Sequence, residues 1–155
     1  MDRQSRVAEQ HKVLVLNGPN LNMLGVREPE IYGSATLADI EAGCQKRAAT
    51  LGLSVEFRQS NNEGELVSWV QEAQASTDAI VINAGAFTHT SVALLDALSM
   101  FAKPIIELHL SNIYKREDFR HRSYISPAAS GIICGFGASG YELALDAVNR
   151  LLEGD

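Results

Sequence analysis

Residues 79–83 read AIVIN, four apolar side chains in a row before a terminal amide at Asn83. A run this short, rich in β-branched residues and without polar alternation, predicts a strand covered on both faces, as in a parallel sheet between helices. VLVLN at 13–17 and PIIELHL at 104–110 have the same character, and LSVEFR at 53–58 and GIICG at 131–135 supply two further strands.

The segments between these runs carry helical periodicity and legible ends. Thr36 opens the first helix, whose stripe runs through Leu37, Ile40, Cys44, Ala48 and Leu51; Asp39 completes a capping box and Gly52 closes it. The second begins near Asn62, has Glu63 and Glu65 in its first turn, and carries Leu66, Val70 and Ala73 on one face. The third spans about Ser91 to Ala102, before Lys103 and Pro104, and the fourth starts at Ser139, boxed by Glu142, and ends near Leu152. Strands alternating with helices of this length predict an α/β fold of the flavodoxin-like, doubly wound kind: a five-stranded parallel sheet with helices on both faces.

At 155 residues the chain fits one domain on the usual ~100 to 200 residues per domain. We expect a single domain over 1–155, with residues 1–11 a flexible or peripheral N-terminal segment. Its 46% hydrophobic and 21% charged residues argue against disorder, and no apolar run approaches the ~18 residues of a membrane helix. Cys44 and Cys134 lie far apart in the sequence and form no CxxC pair, so both are expected to be core thiols of a cytoplasmic protein. Thirteen Lys and Arg against nineteen Asp and Glu give a net charge of -6, the wrong sign for a nucleic-acid surface. An anionic ligand therefore needs a local basic cluster.

Ligands of open α/β sheets bind beyond the carboxyl ends of the strands, so the loops after the first, third and fourth strands carry the interest. The first, NGPNLNMLGVREPEIYG, looks almost free of helix, and the third runs from Ser111 to about Ser130. Connections of that length in a compact domain are usually functional. GFGASG at 135–140 matches a dinucleotide fingerprint but follows the last strand and lacks the acidic residue about twenty positions on. It reads as close helix packing. Asn17 and Asn83 at the strand ends exclude a phosphoacceptor site of acidic residues. The four histidines have no zinc spacing, and neither a metal nor a cofactor is expected.

Glu107 and His109 are two apart on a strand and share a face, where a carboxylate favours and orients a protonated imidazole. His109 is then a candidate general acid; the same pair also suits a core histidine satisfied by a buried acid. Lys115, Arg116, Arg120, His121 and Arg122 form either an anion site or a solvated charged face. Gly25 and Gly33 bracket a segment with the character of a hinged lid. It contains Arg27 and Tyr32. A phenol, with a reference pKa of about 10, becomes a base at neutral pH only if about 4 kcal/mol of cationic stabilisation lowers it, and one desolvated guanidinium is of that order. A plain turn at Tyr32–Gly33 is the alternative. NAGAFTHTS offers amide, glycine backbone and hydroxyls for an anion, or merely an N-cap at Thr88 or Thr90 with His89 on the surface.

LNGPNLNMLGVREPEIYG, QSNNEGELVSWV, INAGAFTHTSVALLDAL, IIELHLSNIYKREDFRHRSYIS and GIICGFGASGYELAL occur in this order across about residues 12–152. Together they resemble the type II 3-dehydroquinate dehydratases of the shikimate pathway. The resemblance implies reversible anti elimination of water from 3-dehydroquinate to 3-dehydroshikimate through an enolate, without metal, Schiff base or nucleotide. It implies Tyr32 as base, Arg27 as its activating cation, Asn20 holding a water at the enolate oxygen, and His109, oriented by Glu107, as acid. It also implies Asn83 with the backbone amides of Leu110 and Ser111 at the substrate carboxylate, and His89 and Arg120 at ring hydroxyls. Asp96 would serve a neighbouring subunit within a homododecamer of trimers. Asn62 and Arg122 stand where the family commonly has His, and neither is assigned chemistry. A non-catalytic anion-binding or assembly module on the same fold is the rival reading, and the presence of Arg27, Tyr32, Glu107 and His109 together argues against it.

Overall fold

The computed structural model describes residues 10–26 and 28–154, apart from the side chains of Pro29 and Tyr32. Arg27, the Tyr32 side chain and most of the 1–11 segment therefore lie outside the described residues. Five strands, β1 (His11–Asn17), β2 (Leu53–Gln59), β3 (Ala79–Asn83), β4 (Ile105–His109) and β5 (Gly131–Cys134), form one sheet. All pairs are parallel, in the order β2-β1-β3-β4-β5. Four longer helices pack on the sheet, α1 (Leu37–Leu51), α2 (Glu63–Ser76) and α3 (Val92–Ser99) between strands and α4 (Ser139–Glu153) after the last. This is the flavodoxin-like arrangement expected.

Strand alternation divides the core in two. Val13, Val15, Val81, Ile106 and Leu108 face α1 and α4, where Ile40, Cys44, Tyr141 and Leu145 meet them. Leu14, Leu16, Ile80, Ile82 and Ile105 face α2 and α3, against Leu66, Val70, Leu94 and Leu98. β3 and β4 are buried along their whole length, whereas the edge strands β2 and β5 are mostly half-buried. Each central strand thus feeds two hydrophobic layers, which explains why AIVIN shows no polar alternation.

Thr36 and Asp39 form the expected capping box on α1, and Asn62 caps α2 by accepting the Glu65 amide at 3.2 Å. One expected boundary and one expected cap differ. α3 stops at Ser99 because Met100 and Phe101 donate three residues back, to Ala97 and Leu98, tightening the last turn as Phe101 enters the core. Lys103 then ties its ammonium to the carbonyls of Gln74 and Thr77, and Pro104 disfavours helical backbone before it. At α4, Ser139 is the first helical residue and makes no capping bond; Ala138 occupies the cap, so the box with Glu142 does not form. Cys44 is buried as expected, its thiol pushed up to about 12 by burial and by Glu142 and Glu41, but Cys134 on the edge strand is only half-buried.

The order of strands reverses between β1 and β3, where Asn17 lies opposite Asn83. Just beyond, Gly18 donates to the Asn83 carbonyl at 2.8 Å. A Cβ on Gly18 would stand 2.2 Å from the Ala84 carbonyl oxygen, backbone against backbone. Gly18→Ala should accordingly lower stability by about 3 kcal/mol, the upper end of overpacking costs. An unchanged thermal midpoint would contradict this close approach of the two strand ends.

Candidate active site

The switch between β1 and β3 opens into a cleft, the place where open α/β sheets bind ligands. Its walls bring together Asn20, Asn83, His89, His109, Leu110, Ser111 and Arg120. These come from the ends of three strands, β1, β3 and β4, and the connections that follow them, so only the fold makes them neighbours.

Asn83 is the most firmly held. Its Nδ2 donates to the Tyr141 hydroxyl at 3.1 Å and its Oδ1 accepts the Gly85 amide at 3.2 Å. The Tyr141 hydroxyl in turn donates to Asn17 Oδ1 at 2.6 Å, and Asn17 Nδ2 reaches the Arg58 carbonyl at 3.0 Å. Burial holds the Tyr141 phenol above its ordinary range, so it remains a neutral donor. This chain fixes which end of the Asn83 amide is nitrogen and leaves one N–H for the cleft.

Asn20 sits in left-handed backbone, φ 68°, which Asn tolerates better than most residues. Its amide donates to Asn61 Oδ1 at 2.9 Å, and Gln59 braces the same oxygen and the Gly18 carbonyl. The first loop is less irregular than expected: Leu21–Met23 forms a 3-10 turn and Pro29–Tyr32 one helical turn. Gly25 and Gly33, with φ near 90°, flank the latter. A second cavity shares Leu110, Ser111 and Arg116 with the cleft and is walled by Glu30, Ile31 and Gly33, so the Tyr32 backbone lies beside the site.

Glu107 and His109 are 1% and 5% exposed, and His109 Nε2 meets Glu107 Oε2 at 2.5 Å. Ser123 donates to that same oxygen at 2.8 Å and Ser126 to Oε1 at 2.5 Å. Burial alone would push the Glu107 carboxyl up, but the bonds from His109, Ser126 and Ser123 and the charge of His109 outweigh it and hold the group below the usual carboxylate range. His109 Nδ1 is left as the nitrogen for the cleft that His109 lines.

His89 stacks on His109 with ring centroids 6.5 Å apart, and its Nδ1 lies 2.8 Å from the Arg122 carbonyl. Burial, with His109 and Arg120 nearby, keeps its pKa below the ordinary value despite that bond, so the ring is neutral at pH 7. Thr88 caps nothing: its Oγ1 is buried without a hydrogen-bond partner among the described residues, and Ser91 caps α3 instead. The basic run divides. Arg116 and Arg120 face the cleft, whereas Arg122 lies over the Tyr124 ring and His121 bonds the Arg116 carbonyl. Arg120 also pairs with Glu117 at the rim. Asp96 is exposed on α3 and does not line the cleft.

Gly135 and Gly137 donate to the carbonyls of His109 and Leu110, and Gly140 lies close to Leu108. GFGASG therefore serves packing beside the site, as read from the sequence. Among the described residues no three His, Cys, Asp or Glu side chains converge to hold a metal ion.

The family model described as Dehydroquinase class II matches residues 11–149. The chain belongs to this family. It is 57% identical over 136 residues to the 3-dehydroquinate dehydratase of Dinoroseobacter shibae, covering 88% of this chain and 91% of the relative. It is likewise 57% identical over 139 residues to the 3-dehydroquinate dehydratase 1 of Agrobacterium fabrum, covering 90% and 96%. Among solved structures, the type II dehydroquinase from Butyrivibrio crossotus superposes with a TM-score of 0.89 at 44% identity, over 90% of this chain and 98% of that one. No helix among the described residues is long and apolar enough to cross a membrane.

Sequence reasoning missed Tyr141, Ser123 and Ser126, which touch the site from behind. Their only advance signal was the polar atom inside otherwise apolar or loop-like stretches. Tyr141→Phe should leave Asn17 and Asn83 buried and short of a partner, lowering unfolding free energy by about 1 to 3 kcal/mol. A urea midpoint equal to that of the parent would show that the hydroxyl is not the link described.

Proposed function

We propose that the chain, as a single catalytic domain, dehydrates 3-dehydroquinate reversibly to 3-dehydroshikimate by anti elimination through an enolate. The observation that carries this reading is the buried Glu107–His109 pair opening on the cleft beside Asn83 and the Pro29–Tyr32 turn, in a chain of the dehydroquinase family.

Tyr32, as phenolate beside Arg27, removes the proton next to the ketone; the electrons move into the carbonyl to give the enolate. A water held by Asn20 stabilises the charge on that oxygen. Collapse of the enolate expels the hydroxyl, which takes a proton from His109 and leaves as water, while Glu107 keeps the imidazolium oriented. Asn83, with its one remaining N–H, and the amides of Leu110 and Ser111 take the substrate carboxylate. His89 and Arg120 take ring hydroxyls. No step uses a metal or organic cofactor. Asp96, exposed and outside the lining of its own cleft, serves a neighbouring subunit in a homododecamer built from trimers, and the enzyme acts in the cytoplasm in aromatic biosynthesis or quinate use.

Mixing the protein with 3-dehydroquinate should generate the near-ultraviolet absorbance of a conjugated enone, unaffected by chelator; ligand binding without absorbance would point to a binding module. Tyr32→Phe should reduce kcat by at least about a thousandfold, toward the background left when a catalytic base is lost, with substrate affinity largely kept. Near-normal turnover in that variant would remove Tyr32 from the role of base. A solution mass equal to one chain would rule out the shared-site assembly.

A further inference from the structure

Glu107 needs more than its histidine to be held still. The terminal torsion of a glutamate side chain is soft and roughly two-fold, so one hydrogen bond to one oxygen does not fix the plane of the carboxylate. Both the His109 ring and the Ser123 hydroxyl approach Oε2, whereas Oε1 receives Ser126 at 2.5 Å. With the residue 1% exposed, bulk water has no ready access to take the place of Ser126.

The two serines are themselves built into the fold. Ser123 Oγ accepts the amides of Ile125 and Ser126 at 3.0 and 3.1 Å while donating to Glu107. Ile125, between them in the chain, is fully buried in the core layer of α2 and α3. Ser126 then opens a 3-10 turn, Ser126–Ala128. The long third loop thus packs a hydrophobic plug and, on either side of it, directs a hydroxyl at the same carboxylate.

We infer that Ser126, seated by Ser123, is a positioning residue for the proton donor: its hydroxyl locks the second oxygen of Glu107, and through Glu107 it holds the His109 ring in one orientation. This rests on the reading of Glu107 and His109 as the acid pair and extends it to a residue that does not line the cleft. The charged and titratable groups facing Glu107 are His109 on its own strand and His89 from the turn Gly85–His89, with Arg120, from the turn Asp118–His121, acting on His89. His89 is neutral at pH 7 and Arg120 is paired with Glu117, so the hydroxyls are the main support of the carboxylate apart from His109.

Removing a donor to a buried carboxylate raises the pH at which it takes up a proton. Ser126→Ala should therefore lower kcat about tenfold, the size of one lost hydrogen bond to a charged group, with KM little changed. The acidic limb of the kcat profile should move upward by up to about one pH unit. Ser126→Thr, which keeps the hydroxyl, should restore both. In a Glu107→Ala background, Ser126→Ala should have no further effect on kcat, since the group it acts through is gone.

Carbon-13 NMR of the Glu107 carboxyl supplies a readout independent of turnover, and its titration midpoint should rise in Ser126→Ala. If that midpoint rises while the parent protein fails to dehydrate 3-dehydroquinate, the clamp stands and the functional reading falls. If the parent is active and Ser126→Ala leaves kcat, acidic limb and NMR midpoint unchanged, the clamp falls and the function stands. Equal losses from Ser126→Ala with and without Glu107 would likewise overturn it, because they would mark a general disturbance of the loop.

Discussion

The in-register pairing of β1 with β3, ending on Asn17 opposite Asn83, is the constraint from which the site follows. From that point the chain departs in two directions, and Gly18 lets the two strand ends lie close enough for the loops to share a wall. Tyr141 then bridges the two asparagine side chains from α4. A helix on one face of the sheet is thereby tied, through three buried polar groups, to the mouth of the cleft. Each of these groups has partners within the protein, which is what makes a polar chain tolerable in a hydrophobic layer.

The chemistry is arranged by the same economy. The protein is acidic overall, at -6, yet two arginines, Arg116 and Arg120, line one cleft. Behind the cleft Glu107, the one fully buried acid among the described residues, is supplied with donors on both oxygens. A buried carboxylate is costly unless paired and hydrogen-bonded, and here both conditions hold.

Much of this was legible from local pattern. AIVIN and its neighbours predicted the sheet because burial on both faces removes polar alternation, and Thr36 with Asp39 marked the start of α1. The Glu107–His109 spacing identified a shared face because strand geometry is strict. Less was visible where local signals competed or were absent. Ser139 and Glu142 match a capping box by spacing, but the tight turn at Gly137–Ala138 puts Ala138 in the cap position and leaves Ser139 as the first helical residue. The far end of α3 is expected at Ala102 because Lys103 and Pro104 follow, whereas the last turn tightens at Met100 and Phe101 as Phe101 reaches the core. Tyr141, Ser123 and Ser126 act across 124, 16 and 19 residues of sequence, so no window of local pattern contains both partners.

The ring of His89 has a consequence for selectivity. Because Nδ1 is engaged by the Arg122 carbonyl and the imidazole is neutral, that nitrogen carries the hydrogen and Nε2 presents a bare lone pair. A guest offering an alcohol at that spot meets a willing acceptor, whereas an ether or keto oxygen of the same size sets electron pair against electron pair. Discrimination here would arise from rejection as much as from attraction, and it would fade under acid, once the imidazole gains a second hydrogen and welcomes either kind of oxygen.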